Sequence, residues 1–393
     1  MKKVLAILMA IVMCLAVAVP AFAADTNKTE LKFHDGEFRI MQLNDTQDVI
    51  LKDVMQREFF LKLVEQEKPD LIVFAGDMLT DFFPGASRKS LEKCIANFFP
   101  VVEETGIPFV VTFGNHDHDW ADKGKFSLEE QMAFYKQFDN CIVPDDGCDL
   151  STFNLPIKST DGKSTAFNVY VFDSNNKAPD GVITGYEGVR ANQVEWYKAK
   201  SNELKVANGG KVVPSLVFQH VPMKEIYQFL DEVPFTDDLS DAVFNIDENK
   251  WYVLNDKVTS GVLGEVPCSE AQDSTGGQYD AMIAQGDIVG AFFAHDHVNN
   301  FMGVTEEGMT MGYNGGTGFS TYGRGGDRSA RMFVINEKDP ANYDTYLCTY
   351  NEIMGTEMNF WVMDLVSPVD ITIIVKFAVS LIPRFIIHLI QKF

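Results

Sequence analysis

The sequence contains no C-x-x-C pair, no G-x-S-x-G, no H-E-x-x-H, and no internal repeat or long linker. The first absence excludes a zinc ribbon, and the next two remove the usual signatures of a serine hydrolase and a zinc peptidase. Positive charge is also scarce: 33 Lys and Arg face 56 Asp and Glu, a formal net charge of -23. No basic patch interrupts this acidic field before the far C-terminus, which argues against a nucleic-acid polymer as ligand. Small anionic substrates stay open, because a bound metal reverses the local sign. Cysteines number six, and five remain if Cys14 is discarded with a leader. An odd set at irregular spacing is no disulfide framework, although Cys141 and Cys148 flank "IVPDDG" and could close a local loop in an oxidising compartment.

What is present is a chain of 393 residues, 46% hydrophobic and 12% aromatic, enough to bury a sizeable core. Residues 1 to 23 read as a secretory signal peptide: Lys2 and Lys3, an apolar middle, then Ala21-Phe22-Ala23 as a small-x-small cleavage site. The expected location is therefore secreted or extracytoplasmic. One domain is expected over residues 24 to 350.

Within it a unit recurs in which a short apolar run ends in polar residues and an amphipathic stretch often follows. "FRIMQLND" ends at Asp45, "DLIVFAGD" at Asp77, "FVVTFGNHD" at Asn115, His116 and Asp117, "SLVFQH" at His220, and "VGAFFAHDH" at His295 and His297. Helical patterns lie around "DVMQREFFLKLVEQE", "SRKSLEKCIANFFPVVEE" and "ANQVEWYKAKSNELK". Strands alternating with helices imply an α/β architecture, whose sites form outside the carboxyl ends of strands. A lone Asp after a strand is usually a turn residue or helix cap. All five strand ends, however, carry metal-competent groups, and four of the chain's seven histidines are among them. In an extended chain, residues i and i+2 project to one side, which suits His295 and His297 to joint ligation.

The order D-x-Q, GD, GNHD, H and HDH resembles the calcineurin-like metallophosphoesterase superfamily, whose pattern is D-x-H, GD, GNHD, H and GHxH. "GNHD" at 114 to 117 is the most specific element. "AHDHVNNFMG" and the Gly-rich "YNGGTGFSTYGRGG" look like the purple acid phosphatase-like branch. The resemblance implies a four-layer α/β/β/α sandwich with a dinuclear metal site at strand ends. It makes Asp77 the carboxylate bridging two divalent ions (Mn, Fe or Zn). Asp45, Gln47 and His297 would hold one ion, and Asn115, His220 and His295 the other. His116 matches the uncoordinated histidine, with Asp117 orienting its imidazole. Two such cations would clamp the attacking and leaving oxygens of a phosphate ester and acidify a water, while His116 would protonate the departing alkoxide or stabilise charge on the phosphoryl oxygens.

Gln47 stands where the family has histidine; its neutral amide oxygen is a harder and usually weaker donor, so either one metal is held loosely or the site prefers Mn or another oxygen-tolerant ion over zinc. Met78 follows Asp77, where a coloured purple acid phosphatase carries tyrosine. Two further residues are candidates for substrate contact: His118, otherwise a solvated loop histidine, and Arg324, whose fork suits a phosphate oxygen. The long, acidic, aromatic-rich segment from about 223 to 286 is expected to wall the cleft.

The implied function is a secreted metal-dependent phosphoric ester hydrolase acting on small phosphate esters. Its alternative is a catalytically impaired metal-binding or surface-interaction protein on the same fold. At the C-terminus, residues 366 to 393 read as a basic amphipathic helix, with Lys376, Arg384, His388 and Lys392 on one side. Charges so placed disfavour a spanning helix and suit an anionic membrane surface.

Overall fold

Three of the expected strands, β1 (Glu37–Leu43), β2 (Leu71–Ala75) and β3 (Phe109–Thr112), run parallel side by side. Two helices, α1 (Val54–Glu67) and α2 (Arg88–Glu104), return the chain between them. The antiparallel β14 (Ser329–Asn336) and β15 (Asp344–Thr349) complete this sheet in the order β15-β14-β1-β2-β3. The computed structural model describes residues 30–48, 54–80, 86–177, 185–235, 239–246, 248–268 and 277–357. The expected leader and the C-terminal amphipathic helix lie outside the described residues. Among those described, no helix is long and apolar enough to cross a membrane.

A second sheet has the order β10-β12-β13-β11-β6-β5-β4. Its strands are β4 (Phe153–Lys158), β5 (Thr165–Phe172), β6 (Ser215–Gln219), β10 (Val258–Ser260), β11 (Ile288–Phe293), β12 (Met302–Val304) and β13 (Thr310–Tyr313). Side chains alternate across it, as a pleated strand requires. Phe167, Val169 and Val171 of β5, with Leu216 and Phe218 of β6 and Phe292 of β11, join the core shared with the first sheet. Tyr170, Phe172, Val217, Ala291 and Phe293 face the other way, onto α5 (Ala191–Ala207) and α6 (Gln278–Gln285). Phe333 of β14 meets Phe218 at 5.2 Å and Phe292 at 4.5 Å, locking sheet to sheet. Each such ring pair adds about 0.5–1.5 kcal/mol beyond area burial. On the far side of the first sheet, Phe74 packs on Phe98 and Phe99 of α2. The result is the four-layer α/β/β/α sandwich.

Two short helices, α3 (Asn115–Asp122) and α4 (Leu128–Tyr135), follow β3, and α7 (Tyr350–Met354) ends the described chain. The segment expected to wall a cleft contains a small antiparallel sheet of β7 (Leu230–Val233), β8 (Val243–Asn245) and β9 (Lys250–Leu254), ordered β7-β9-β8. All five described cysteines are free, so Cys141 and Cys148 do not close the loop between them.

Candidate metal centre

The turns leaving β1, β2, β3, β6 and β11 meet at one rim and bring seven side chains together there. Asp45 Oδ1 lies 3.1 Å from His297 Nε2. Asp77 Oδ2 lies 3.2 Å from His220 Nε2 and 3.4 Å from the Gln47 amide nitrogen. Asn115 Oδ1 is 3.2 Å from His220 Nε2 and 2.9 Å from His295 Nδ1. Asp45, Asp77 and His297 form one cluster of ligand-competent atoms, and Asp77, His220 and His295 another. Asp77 belongs to both, as a bridging carboxylate must.

The backbone is bent to reach this arrangement. Asp45, Gln47, Asp77 and His295 have φ values of 51°, 40°, 53° and 73°. They are half of the eight non-glycine residues with left-handed φ among the described residues, at a cost of about 1–3 kcal/mol each. Glycines serve close approach: a Cβ on Gly76 would stand 2.6 Å from His220 Nδ1, and one on Gly114 would strike the Asp77 carboxylate.

The donor set fits divalent cations for a specific reason. His297 Nδ1 donates to the Tyr322 carbonyl at 2.9 Å, and His220 Nδ1 to the Ala75 carbonyl at 2.9 Å. Each bond fixes the tautomer and leaves an Nε2 lone pair facing carboxylate or amide oxygens. Asp45 Oδ1 is buried and accepts no hydrogen bond among the described residues. Lone pairs so opposed repel unless a positive charge sits among them.

Without metal, a proton supplies that charge. Burial pulls the His220 pKa down, but Asp77 and Asp45 outweigh it and push it up to about 10. Burial favours the neutral Asp77 carboxyl, yet His220 and His116 hold it well below the usual range. Burial and the His220 charge press His295 down to about 3, keeping that imidazole neutral. A raised histidine pKa stabilises fully below the free value of 6.5, and that stabilisation is lost as pH rises through about 10. The metal-free protein is therefore expected to melt at progressively lower temperature across that window. His220→Asn removes this dependence; calorimetric scans in chelator check it, and an unchanged slope in the variant contradicts the assignment.

Three expectations need correction. Asp117 does not orient His116: its buried carboxylate accepts from the backbone amides of Asp77 at 2.8 Å, Gly114 at 3.0 Å and Leu79 at 3.1 Å. Burial and the Asp77 charge push Asp117 up to about 7, against those three donors, which favour the anion. The carboxylate beside His116 Nδ1 is Asp119, at 3.4 Å. His118 is not a solvated loop histidine, because it lies on α3 and its Nε2 pairs with buried Asp173 at 2.9 Å. Burial would lower the His118 pKa, and Asp173 reverses this and raises it. Arg324 donates to the Val298 carbonyl at 3.2 Å, while its buried Nε has no hydrogen-bond partner among the described residues. His116 keeps its expected place: its amide donates to Asp77 Oδ1 at 2.9 Å, and its Nε2 lies 3.8 Å from Asp77 Oδ2.

Other neighbours were not singled out from sequence. Asn44 donates to Asp45 Oδ2 at 2.5 Å, and Cys268 and Asp296 cluster with His295. The expected wall does touch the site at its end. Asn299 Oδ1 accepts from the amides of Gly264 at 2.9 Å and Glu265 at 3.1 Å, two residues beyond His297.

A family model described as calcineurin-like phosphoesterase matches residues 38–299. Two proteins of Arabidopsis thaliana align along most of the chain. "Probable inactive purple acid phosphatase 29" is 28% identical over 361 residues, 82% of either chain. "Probable inactive purple acid phosphatase 14" is 28% identical over 355 residues, 80% of this chain and 79% of its own.

Proposed function

The chain belongs to the calcineurin-like phosphoesterase family, and on that premise we propose that it is an active metal-dependent hydrolase of small phosphoric esters. The observation that carries this reading is the opposed set of lone pairs on Asp45, Asp77, Asn115, His220, His295 and His297. Asp45, Gln47 and His297 would hold one ion, Asn115, His220 and His295 the other, and Asp77 would contribute to both. Such ions, when bound, supply the clamp on attacking and leaving oxygens and the acidified water that ester hydrolysis needs. His116, beside Asp77 and about a quarter exposed, holds the proton that the departing alkoxide takes. Asp119 keeps that imidazole turned.

The relatives' printed names favour a second reading, an impaired metal-binding protein, and Gln47 is the kind of change that would accompany it. Against it stands the completeness of the other ligands. Gln47→His restores the imidazole of the family pattern and is expected to tighten metal binding and shift preference toward zinc. Titration calorimetry with Mn and Zn checks this; unchanged affinity and order mean that Gln47 is not a ligand.

The reading includes secretion, from the residue pattern of the first 23 positions, and attachment of residues 366 to 393 to an anionic membrane surface. Truncation after Asp364 then releases the protein from anionic vesicles without loss of activity. A truncated protein that misfolds, or an intact one that never sediments with vesicles, refutes the attachment.

A further inference from the structure

The two halves of the centre are built on different supports. His220, in one half, is fixed by the carbonyl of Ala75 inside β2. In the other half, both Asp45 and His297 lean on the Gly-rich segment between β13 and β14. Gly318 donates its amide to the Asp45 carbonyl at 3.1 Å, and Gly316 donates to the His297 carbonyl at 3.0 Å. Gly318 must be glycine, since a Cβ there would lie 2.5 Å from the Asp45 carbonyl oxygen.

The centre of this support is Tyr322. Its carbonyl accepts the His297 Nδ1 proton, and its ring lies over the imidazole at 4.1 Å between centroids and 12° between planes. Its hydroxyl donates to Glu265 Oε1 at 2.9 Å, tying the stack to the loop before Cys268. Arg328, only 1% exposed, holds the segment from beneath. It donates to the Tyr322 carbonyl at 3.2 Å, the Thr321 carbonyl at 2.6 Å and the Gly318 carbonyl, and lies over the Phe319 ring. One carbonyl thus receives both the buried guanidinium and the imidazole of a metal-site histidine.

We propose that Tyr322 and Arg328 are positioning residues that set ion occupancy in the Asp45, Gln47 and His297 half alone, so that the two halves load separately. This rests on the two-metal reading above. Because Asp45 and His297 rest on a glycine-rich loop and His220 on the interior of a strand, this half is the weaker one. The half formed by Asn115, His220 and His295 fills first.

The test uses the full chain, stripped of metal and titrated with Mn²⁺, read by calorimetry and by electron paramagnetic resonance. Wild type is expected to bind in two resolved steps, with a spin-coupled signal appearing only in the second. Tyr322→Leu removes the stack and the phenol, and is expected to weaken the second step by about 10- to 100-fold with the first unchanged. Its signal at equal metal then stays that of isolated Mn²⁺. Tyr322→Phe, which keeps the stack, recovers most of the affinity. Should Tyr322→Leu fail to fold, Glu265→Leu removes the acceptor of the phenol and is expected to give a smaller loss confined to the second step. Equal loss at both steps, no loss at either, or a Phe variant as weak as the Leu variant overturns the inference while leaving the two-metal reading intact. A wild-type protein that takes up only one ion refutes that reading and this inference with it.

Discussion

Asp77→Asn is expected to lower turnover by on the order of 10³-fold or more and to reduce bound metal, while the protein stays folded. The substitution keeps the shape and removes the charge. Oδ2 faces His220 and Gln47 while Oδ1 accepts from the His116 backbone amide, so one carboxylate touches both clusters and the proposed acid, His116. With an amide here, either two N–H donors point into a nest of acceptors or a neutral oxygen replaces a bridging anion. Neither offsets two dications. Elemental analysis, far-UV circular dichroism and steady-state rates on the purified variant test this together. Wild-type metal content and rate would refute the bridging role.

His116→Asn is expected to slow alkyl esters by about 10²- to 10⁴-fold and activated aryl esters much less. The reason lies in the leaving group: an alkoxide needs the proton that a phenolate can leave without. His116 is suited to give it, since its imidazole sits at the rim, a quarter exposed, between Asp77 and Asp119 rather than within either ligand cluster. Equal losses on both ester classes would show that His116 chiefly stabilises charge on the phosphoryl oxygens. Asp119→Asn is expected to follow the same pattern more weakly, as a residue acting through the imidazole.

The meeting of these side chains was legible because chemistry at strand ends leaves a pattern in the sequence. Apolar runs that stop at Asp45, Asp77, Asn115, His220 and His295 are both strands and signposts: β1, β2 and β3 run parallel in one sheet, and β6 and β11 run parallel in the other. The long helices were legible from the same alternation of patterns.

The supports were not. Asp117 adjoins His116 in sequence, but α3 begins at Asn115, so Asp117 turns back to cap the amide of Gly114 and Asp119, one helical turn on, meets the imidazole. Reading the segment as a loop hid that spacing. His118 finds Asp173 across the sandwich, 55 residues away, which no local pattern encodes. The acceptors that fix His220 and His297 are backbone carbonyls, available at any residue and so invisible in a sequence. Left-handed backbone at Gln47 is equally silent, because glutamine carries no preference for it.

If these side chains hold two ions for hydrolysis, turnover depends on both. Ester turnover can be followed against ions bound as metal-stripped protein is reloaded with Mn²⁺ and offered a panel of phosphate mono- and diesters. No turnover is expected in chelator, and full turnover only as occupancy approaches about two ions per chain. Two bound ions with every ester left intact would contradict this and favour the impaired reading.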